Sequence, residues 1–216
     1  MKQQTVSEKI EKFFAQGAPK FYKQGETIVF AGEEPPGVMF LVDGIVEQYD
    51  ITSEGNKLAV NMFRQGAFFP MSWAITKSPN VYFYAAFKDV TVRTVDVGVA
   101  VQFLHDNSDV LFDLLRRVYV GADAIQSRLV FAASGVASER LIFELITEAY
   151  RFGQISDDSH AIINVKQVNL AERSGLARET VGRELHKLAC DELITVTRQG
   201  IILSLDKLKT RLGLSV

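Results

Sequence analysis

The chain switches between two hydrophobic periods. From Phe21 to about Val97, short runs of β-branched and aromatic residues recur between glycines. The runs are Thr27 to Phe30, Val38 to Val42, Val46 to Ile51, Leu58 to Phe63 and Tyr82 to Val95. Gly25, Gly32, Gly37, Gly44, Gly55 and Gly66 punctuate them. Short strands at this spacing predict an all-β barrel or jelly roll. Asp43-Gly44 and Glu54-Gly55-Asn56 read as hairpin turns.

From about Val99 to Val136 the period becomes helical. Leu111, Leu114, Val118, Ala122, Ile125, Leu129, Ala132 and Val136 recur at steps of three and four. Arg116, Arg117, Asp123, Gln126 and Arg128 fall off that line. One reading is an amphipathic helix packed on its own domain. A helix this long outruns such a domain, which favours a seam for a second copy of the chain. Gly135 and Ser138 mark a break, and a further helix runs from about Ser138 to Phe152. Gly153 to Ser159 reads as a polar turn or loop, and Ile162 to Val165 as a short strand. Two short helices follow, then an apolar pair of strands around Gly200.

Composition narrows the function classes. A 216-residue chain that is 47% hydrophobic and 23% charged is that of a soluble globular protein with one large or two small domains. No apolar run approaches the roughly 18–20 residues of a membrane span. Residues 1–17 lack the apolar stretch of a secretory signal, so a cytoplasmic location is expected. The lone Cys190 can form no internal disulfide and cannot supply the thiolates of an iron–sulfur cluster. His105, near the junction of strands and helix, and His160, in the loop region, are too isolated to suggest a metal or haem. No HExxH, P-loop or nucleophile elbow occurs, so neither an enzyme nor a cofactor is expected.

The net charge of −2 is unevenly spread. From Asn164 onward nine Lys and Arg face six acids, a local +3 that leaves −5 for the remainder. A basic end suits a polyanionic partner, although chance scatter of surface charge would look similar.

That end holds the most specific pattern, KQVNLAERSGLARETVGRELHKLACDELI from Lys166 to Ile194. Ala171 stands four residues before Gly175. A helix-turn-helix needs a small residue where its helices cross and a glycine in its turn. Val181, Leu185 and Leu188 give the second helix an apolar face, with Arg178, Glu179 and Arg183 near its start on the other side. A recognition helix presents side chains to base edges there. Arginine can pair bidentately with guanine O6 and N7, and glutamate can accept from the cytosine N4 amine. Thr180 and His186 can add phosphate or methyl contacts. The bland alternative is a set of solvated helix charges. Thr195 to Ser204 then reads as a hairpin wing turning at Arg198-Gln199-Gly200, with Arg198 placed to touch phosphate.

On these residues the chain resembles the CRP/FNR superfamily of bacterial regulators. ARETVGR at Ala177 to Arg183 is similar to the family's recognition helix. Gly25-Glu26, Gly32-Glu33, Phe40 to Gly44 and Gln65-Gly66 sit where the family's β-roll has its glycine turns. The resemblance implies an α+β fold in three parts. These are an N-terminal β-roll sensor (a jelly roll like that of cyclic-nucleotide-binding proteins, 1–98), a dimerisation helix (99–136) and a winged helix-turn-helix (137–216). It implies a homodimer on a palindromic double-stranded DNA operator with TGTGA-like half-sites, RNA polymerase as a further partner, and a small-molecule effector of unknown identity. Arg178, Glu179 and Arg183 match base-reading positions. Ala177 replaces the usual serine, removing a helix cap or phosphate contact, and Asn169 replaces an acidic residue. The alternative function is a ligand-binding regulator of a protein partner with a vestigial helix-turn-helix, against which the intact Arg178, Glu179 and Arg183 argue.

The sensor end departs from the cAMP-binding members. Pro70 and Met71 stand where their Gly-Glu pair would be, and Asn80 and Val81 where their Arg-Ser pair would be. Ile125 and Gln126 replace hydroxyl residues on the long helix. A phosphate buried without an arginine is costly, so cAMP is not the expected ligand. Phe68, Phe69, Met71, Trp73, Tyr82 and Tyr84 cluster in the two strand segments that frame the family's pocket. They would line an apolar effector site or simply fill it. Alternation along Tyr82-Phe83-Tyr84 keeps them from all facing one cavity.

Overall fold

A computed structural model describes residues 4–157 and 159–214. It forms two compact units, Met1–Val120 and Gly121–Val216.

The first unit opens with helix α1 (Val6–Phe14). Thr5 and Glu8 start it with a reciprocal capping box: Glu8 N–H donates to Thr5 Oγ1 at 3.3 Å and Thr5 N–H to Glu8 Oε2 at 2.8 Å. The T-x-x-E spacing is a sequence signature of such a helix start, which the hydrophobic pattern alone did not draw on. Two four-stranded antiparallel sheets follow. One contains β1 (Pro19–Tyr22), β8 (Val90–Val95), β3 (Val38–Asp43) and β6 (Phe68–Phe69), in that order. The other contains β2 (Thr27–Val29), β7 (Phe83–Ala86), β4 (Ile45–Ile51) and β5 (Lys57–Arg64). A short helix, α2 (Met71–Thr76), lies between β6 and β7.

Two strand expectations change. Tyr82 to Val95 is two strands, because the chain crosses between sheets at Phe87 to Asp89. Asp43-Gly44 is a corner rather than a hairpin, since β3 and β4 belong to different sheets. Gly44 is required there: its φ is +94°, and a Cβ would lie 2.1 Å from the Asp89 carbonyl oxygen. Glu54-Gly55-Asn56 does turn the β4–β5 hairpin.

The helical stretch is also two elements, α3 (Val97–Asp106) and α4 (Ser108–Ser134). Asn107 breaks them at φ −128° and ψ 80°, and its side-chain amide donates to the Phe103 carbonyl at 2.9 Å. The break falls in five consecutive polar residues, His105 to Asp109, a local signal that the reading of one long helix passed over. Val110 and Leu114, four apart, turn into the first unit's core. Leu114 therefore leaves the expected seam, and Leu115 lies exposed beside Leu111 and Val118. Phe112 and Tyr119 widen this apolar stripe, and Ile125, Leu129 and Val130 are exposed farther along α4.

The second unit packs α5 (Ala137–Phe152), α6 (Gln167–Ser174), α7 (Arg178–Cys190) and α8 (Leu205–Arg211) around one core with a four-stranded sheet. The sheet order is β11 (Ile194–Thr197), β12 (Gly200–Ser204), β10 (His160–Ile163) and β9 (Gln154–Asp157). Strand β9 occupies the segment expected to be a polar loop, and His160 begins β10. An edge strand needs only one paired side and tolerates polar residues, which hides it from a hydrophobic pattern.

Helix α5 buries two carboxylates four residues apart. Glu144 accepts from Arg128 of α4 through Nε at 2.6 Å and Nη2 at 3.3 Å. Glu148 pairs with Arg173 of α6, and both are 5% exposed. Truncating one partner of such a pair strands the other charge out of water. Glu148→Ala is expected to lower unfolding free energy by about 3–5 kcal/mol, measured by urea denaturation. A loss under about 1 kcal/mol would show that water reaches Arg173 readily.

Candidate nucleic-acid interface

The turn between α6 and α7 is built on Gly175, at φ 64° and ψ 28°. A side chain there would be strained. The N–H groups of Gly175 and Leu176 both donate to the Ala171 carbonyl, closing the end of α6. Ser174 Oγ donates to the Leu170 carbonyl at 2.7 Å inside this packing. Extended Ala177 starts α7 and offers no capping oxygen.

At about 100° per residue, the exposed half of α7 carries Arg178, Glu179, Arg183, His186, Lys187 and Cys190. Val181, Leu185 and Leu188 fill the opposite half and are buried. Thr180 sits half-buried at the boundary. Among the described residues, the side chains of Arg178 and Glu179 make no hydrogen bond or ion pair. Unpaired donors and acceptors on a rigid helix suit recognition of a polar partner surface. His186 Nδ1 lies 3.7 Å from Cys190 Sγ, one turn on.

The apolar pattern missed Glu184, which is buried on the core-facing half. Its Oε1 accepts from Lys187 Nζ at 2.9 Å and lies 3.5 Å from Arg183 Nε. The Lys187 hydrogen bond, with Arg183 as a lesser contributor, holds this carboxyl below the usual carboxylate range. Lys187 was also absent from the sequence-based set.

The wing is the β11–β12 hairpin, with Thr197 paired to Gly200 across Arg198-Gln199. Thr197 Oγ1 donates to the Gly200 carbonyl at 2.9 Å and accepts from Gln199 N–H at 3.2 Å, so the tip is internally fastened. Arg198 lies exposed on it. A cleft of about 510 Å³ separates wing and α7, with Gly182, Leu185 and His186 on one wall and Val196, Arg198 and Gly200 on the other.

The residues expected around an effector divide between two clusters. Phe68 joins Phe14 and Phe40 in one, and Met71 and Trp73, expected on a strand, stand on α2 and pack against it. Phe69 and Tyr84 belong to the other, with Tyr82 at its margin. There Phe63, Phe69 and Tyr84 stack, with successive ring centroids 5.1 and 5.4 Å apart. Gln48 Nε2 donates to Tyr84 Oη at 3.1 Å. Burial, then the neighbouring Tyr82, pushes the Tyr84 phenol up to about 12. Asn80 is buried and bonded to backbone, donating to the Phe30 carbonyl at 3.0 Å and the Tyr82 carbonyl at 2.9 Å. Ile125 and Gln126 are exposed on α4.

Residues 19–107 match the family model of the cyclic nucleotide-binding domain, and residues 139–211 that of the Crp-like helix-turn-helix domain. A global nitrogen regulator of Nostoc sp. is 24% identical over 183 residues, covering 83% of this chain and 82% of that protein. The transcriptional regulator ArcR of Staphylococcus haemolyticus is 20% identical over 180 residues, covering 83% and 79%. Among solved structures, a CRP/FNR-family transcriptional regulator of Thermus thermophilus superposes with a TM-score of 0.72 at 22% identity, covering 91% of this chain and 98% of that one. A CooA variant of Carboxydothermus hydrogenoformans gives 0.77 at 15% identity, covering 93% and 89%. No helix among the described residues is long and apolar enough to cross a membrane.

Two glycines of this interface predict opposite outcomes. A Cβ on Gly182 would meet Gln167 Oε1 at 3.6 Å, an ordinary contact, so Gly182→Ala is expected to raise unfolding free energy by about 0.5–1 kcal/mol. Gly200 has φ +145° and a Cβ there would lie 2.2 Å from the Ile163 carbonyl oxygen, so Gly200→Ala should lower it by about 1–3 kcal/mol. Thermal melts of the two variants check both signs.

Proposed function

The chain belongs to the CRP/FNR superfamily of DNA-binding transcription regulators, and on that premise we propose that it reads a palindromic operator as a homodimer. The observation that carries this is the exposed Arg178–Glu179 pair, with Arg183 a turn farther on, on a helix fixed by the Gly175 turn and buried on its other half. Arg178 and Arg183 would pair with guanines and Glu179 with cytosine N4 in TGTGA-like half-sites. Thr180, His186 and Arg198 would meet phosphate or a thymine methyl. The exposed apolar stripe of α4 supports dimerisation, since pairing would remove Leu111, Leu115, Val118 and Leu129 from water. In this reading residues 1–98 sense, 99–136 pair the protomers and 137–216 read DNA. RNA polymerase is the further partner, and the setting is the cytoplasm.

Cyclic AMP is not the effector in this reading. Asn80 supports that: the resemblance puts it where the family has its phosphate-binding arginine, and its amide is committed to backbone carbonyls. The stacked Phe63, Phe69 and Tyr84 leave the roll interior apolar, so an effector of this site would be an apolar or aromatic molecule.

A mobility shift with a duplex carrying two TGTGA half-sites, centred one helical turn apart, should give one retarded species, and a single half-site should bind far more weakly. Arg178→Ala should cost roughly 1–3 kcal/mol on the palindrome and relax preference at one symmetric base pair. Equal weakening on every sequence would reduce Arg178 to a phosphate contact. Calorimetric titration with cAMP should give no saturable heat, and micromolar binding would overturn that part.

A further inference from the structure

The core-facing half of α7 contains a charge that packing does not require. Glu184 is 5% exposed and shares its side of the helix with Val181, Leu185 and Leu188. Its two cationic neighbours reach outward: the side chains of Arg183 and Lys187 are 64% and 59% exposed. One buried carboxylate thus gathers two cations from the DNA-facing half, with Lys187 Nζ at 2.9 Å and Arg183 Nε at 3.5 Å.

The atom engaged on Arg183 matters. A guanidinium donates five N–H bonds in one plane. Nε is the Arg183 atom nearest Glu184, at an ion-pair separation of 3.5 Å, and Nη1 and Nη2 make no hydrogen bond among the described residues. The edge they form matches the spacing of guanine O6 and N7. An exposed arginine otherwise samples many rotamers, and ordering it weakens the recognition step. A partner that orders it beforehand removes this cost from binding.

We propose that Glu184 is a positioning residue for Arg183: its carboxylate holds Nε and presents the two terminal nitrogens to a base edge. By holding Lys187 as well, it keeps one cation off the phosphate backbone, favouring sequence preference over bulk attraction. This rests on the reading of Arg183 as a base contact.

The experiment is fluorescence anisotropy of the full chain on the palindrome and on duplexes with one symmetric base pair changed at a time, over a range of salt. Arg183→Ala identifies the pair that Arg183 reads. Glu184→Gln, similar in size but uncharged, is expected to lose about tenfold of the preference at that pair while keeping it at the others. Its log–log salt slope should steepen by about one, as Lys187 is released to phosphate. In the Arg183→Ala background the same change should leave base preference unaltered. Glu184→Asp, which keeps the charge, should restore part of the loss, and it serves in place of Glu184→Gln if melting shows that variant unfolded. Undiminished preference at the Arg183 pair, uniform weakening at all pairs, or an effect that persists without Arg183 overturns the proposal. A wild-type chain that binds every duplex equally removes the base contact itself and fells both readings, a pattern distinct from failure of Glu184 alone.

Discussion

The reading unit depends on two buried carboxylates of α5. Glu144 and Glu148 lie one helical turn apart and point at different helices, Arg128 of α4 and Arg173 of α6. Apolar contacts fix how much surface is buried but tolerate sliding and rotation of one helix on another. A buried ion tolerates neither, because losing its partner leaves charge in a poor solvent. Burial raises Glu144 above the usual carboxylate range even with Arg128 attached, so desolvation outweighs the attraction there. A buried pair of this kind is weak evidence of stability in itself, and its geometric demand bears on which packing is adopted. Through Arg173, the same demand reaches α6, and α6 sets where the Gly175 turn releases the chain into α7.

Once α7 is so placed, the division of its surface follows from helical geometry. Val181, Leu185 and Leu188 must face the shared core, so Arg178, Glu179 and Arg183 must face out. The wing is constrained from the other side, because Gly200 passes against the Ile163 carbonyl where no side chain fits. The α7 surface and the Arg198 tip are thus two edges of one packed body. Neither depends on Arg178, Glu179 or Arg198 for its position, which leaves those side chains available for a partner.

How much of this was legible in the sequence varied with the kind of force involved. The helix-turn-helix was readable because steric rules fix glycine at a left-handed turn and apolar residues at i, i+4 and i+7. The β4–β5 hairpin was readable for the same local reason. The corner at Gly44 was not, since the same dipeptide serves a hairpin and a sheet crossing, and strand pairing is a long-range property. Asn107 interrupts a helix inside the polar run His105 to Asp109, which is short enough to read as one exposed turn of a continuous helix. Leu114 and Leu115 are interchangeable to a pattern search, and only the first unit's core decides which one turns inward. Glu148 and Arg173 were invisible for a shared reason. A charged letter reads as surface until its partner, 25 residues away for Glu148, is known.

The two ends of the chain also differ in what their interiors permit. The core behind α7 draws on Leu141 onward, whereas the roll's two cores draw on residues no later than Leu114. A substitution inside the roll therefore removes no contact from the core that supports Arg178. In the roll, Asn80 has been drawn into backbone hydrogen bonding, and Phe63, Phe69 and Tyr84 occupy the interior as a stack. A buried guanidinium at position 80 would need an anion, and the asparagine needs only the carbonyls already beside it. Because the core clusters share no residue, the side chain at position 80 has no bearing on the packing that supports α7.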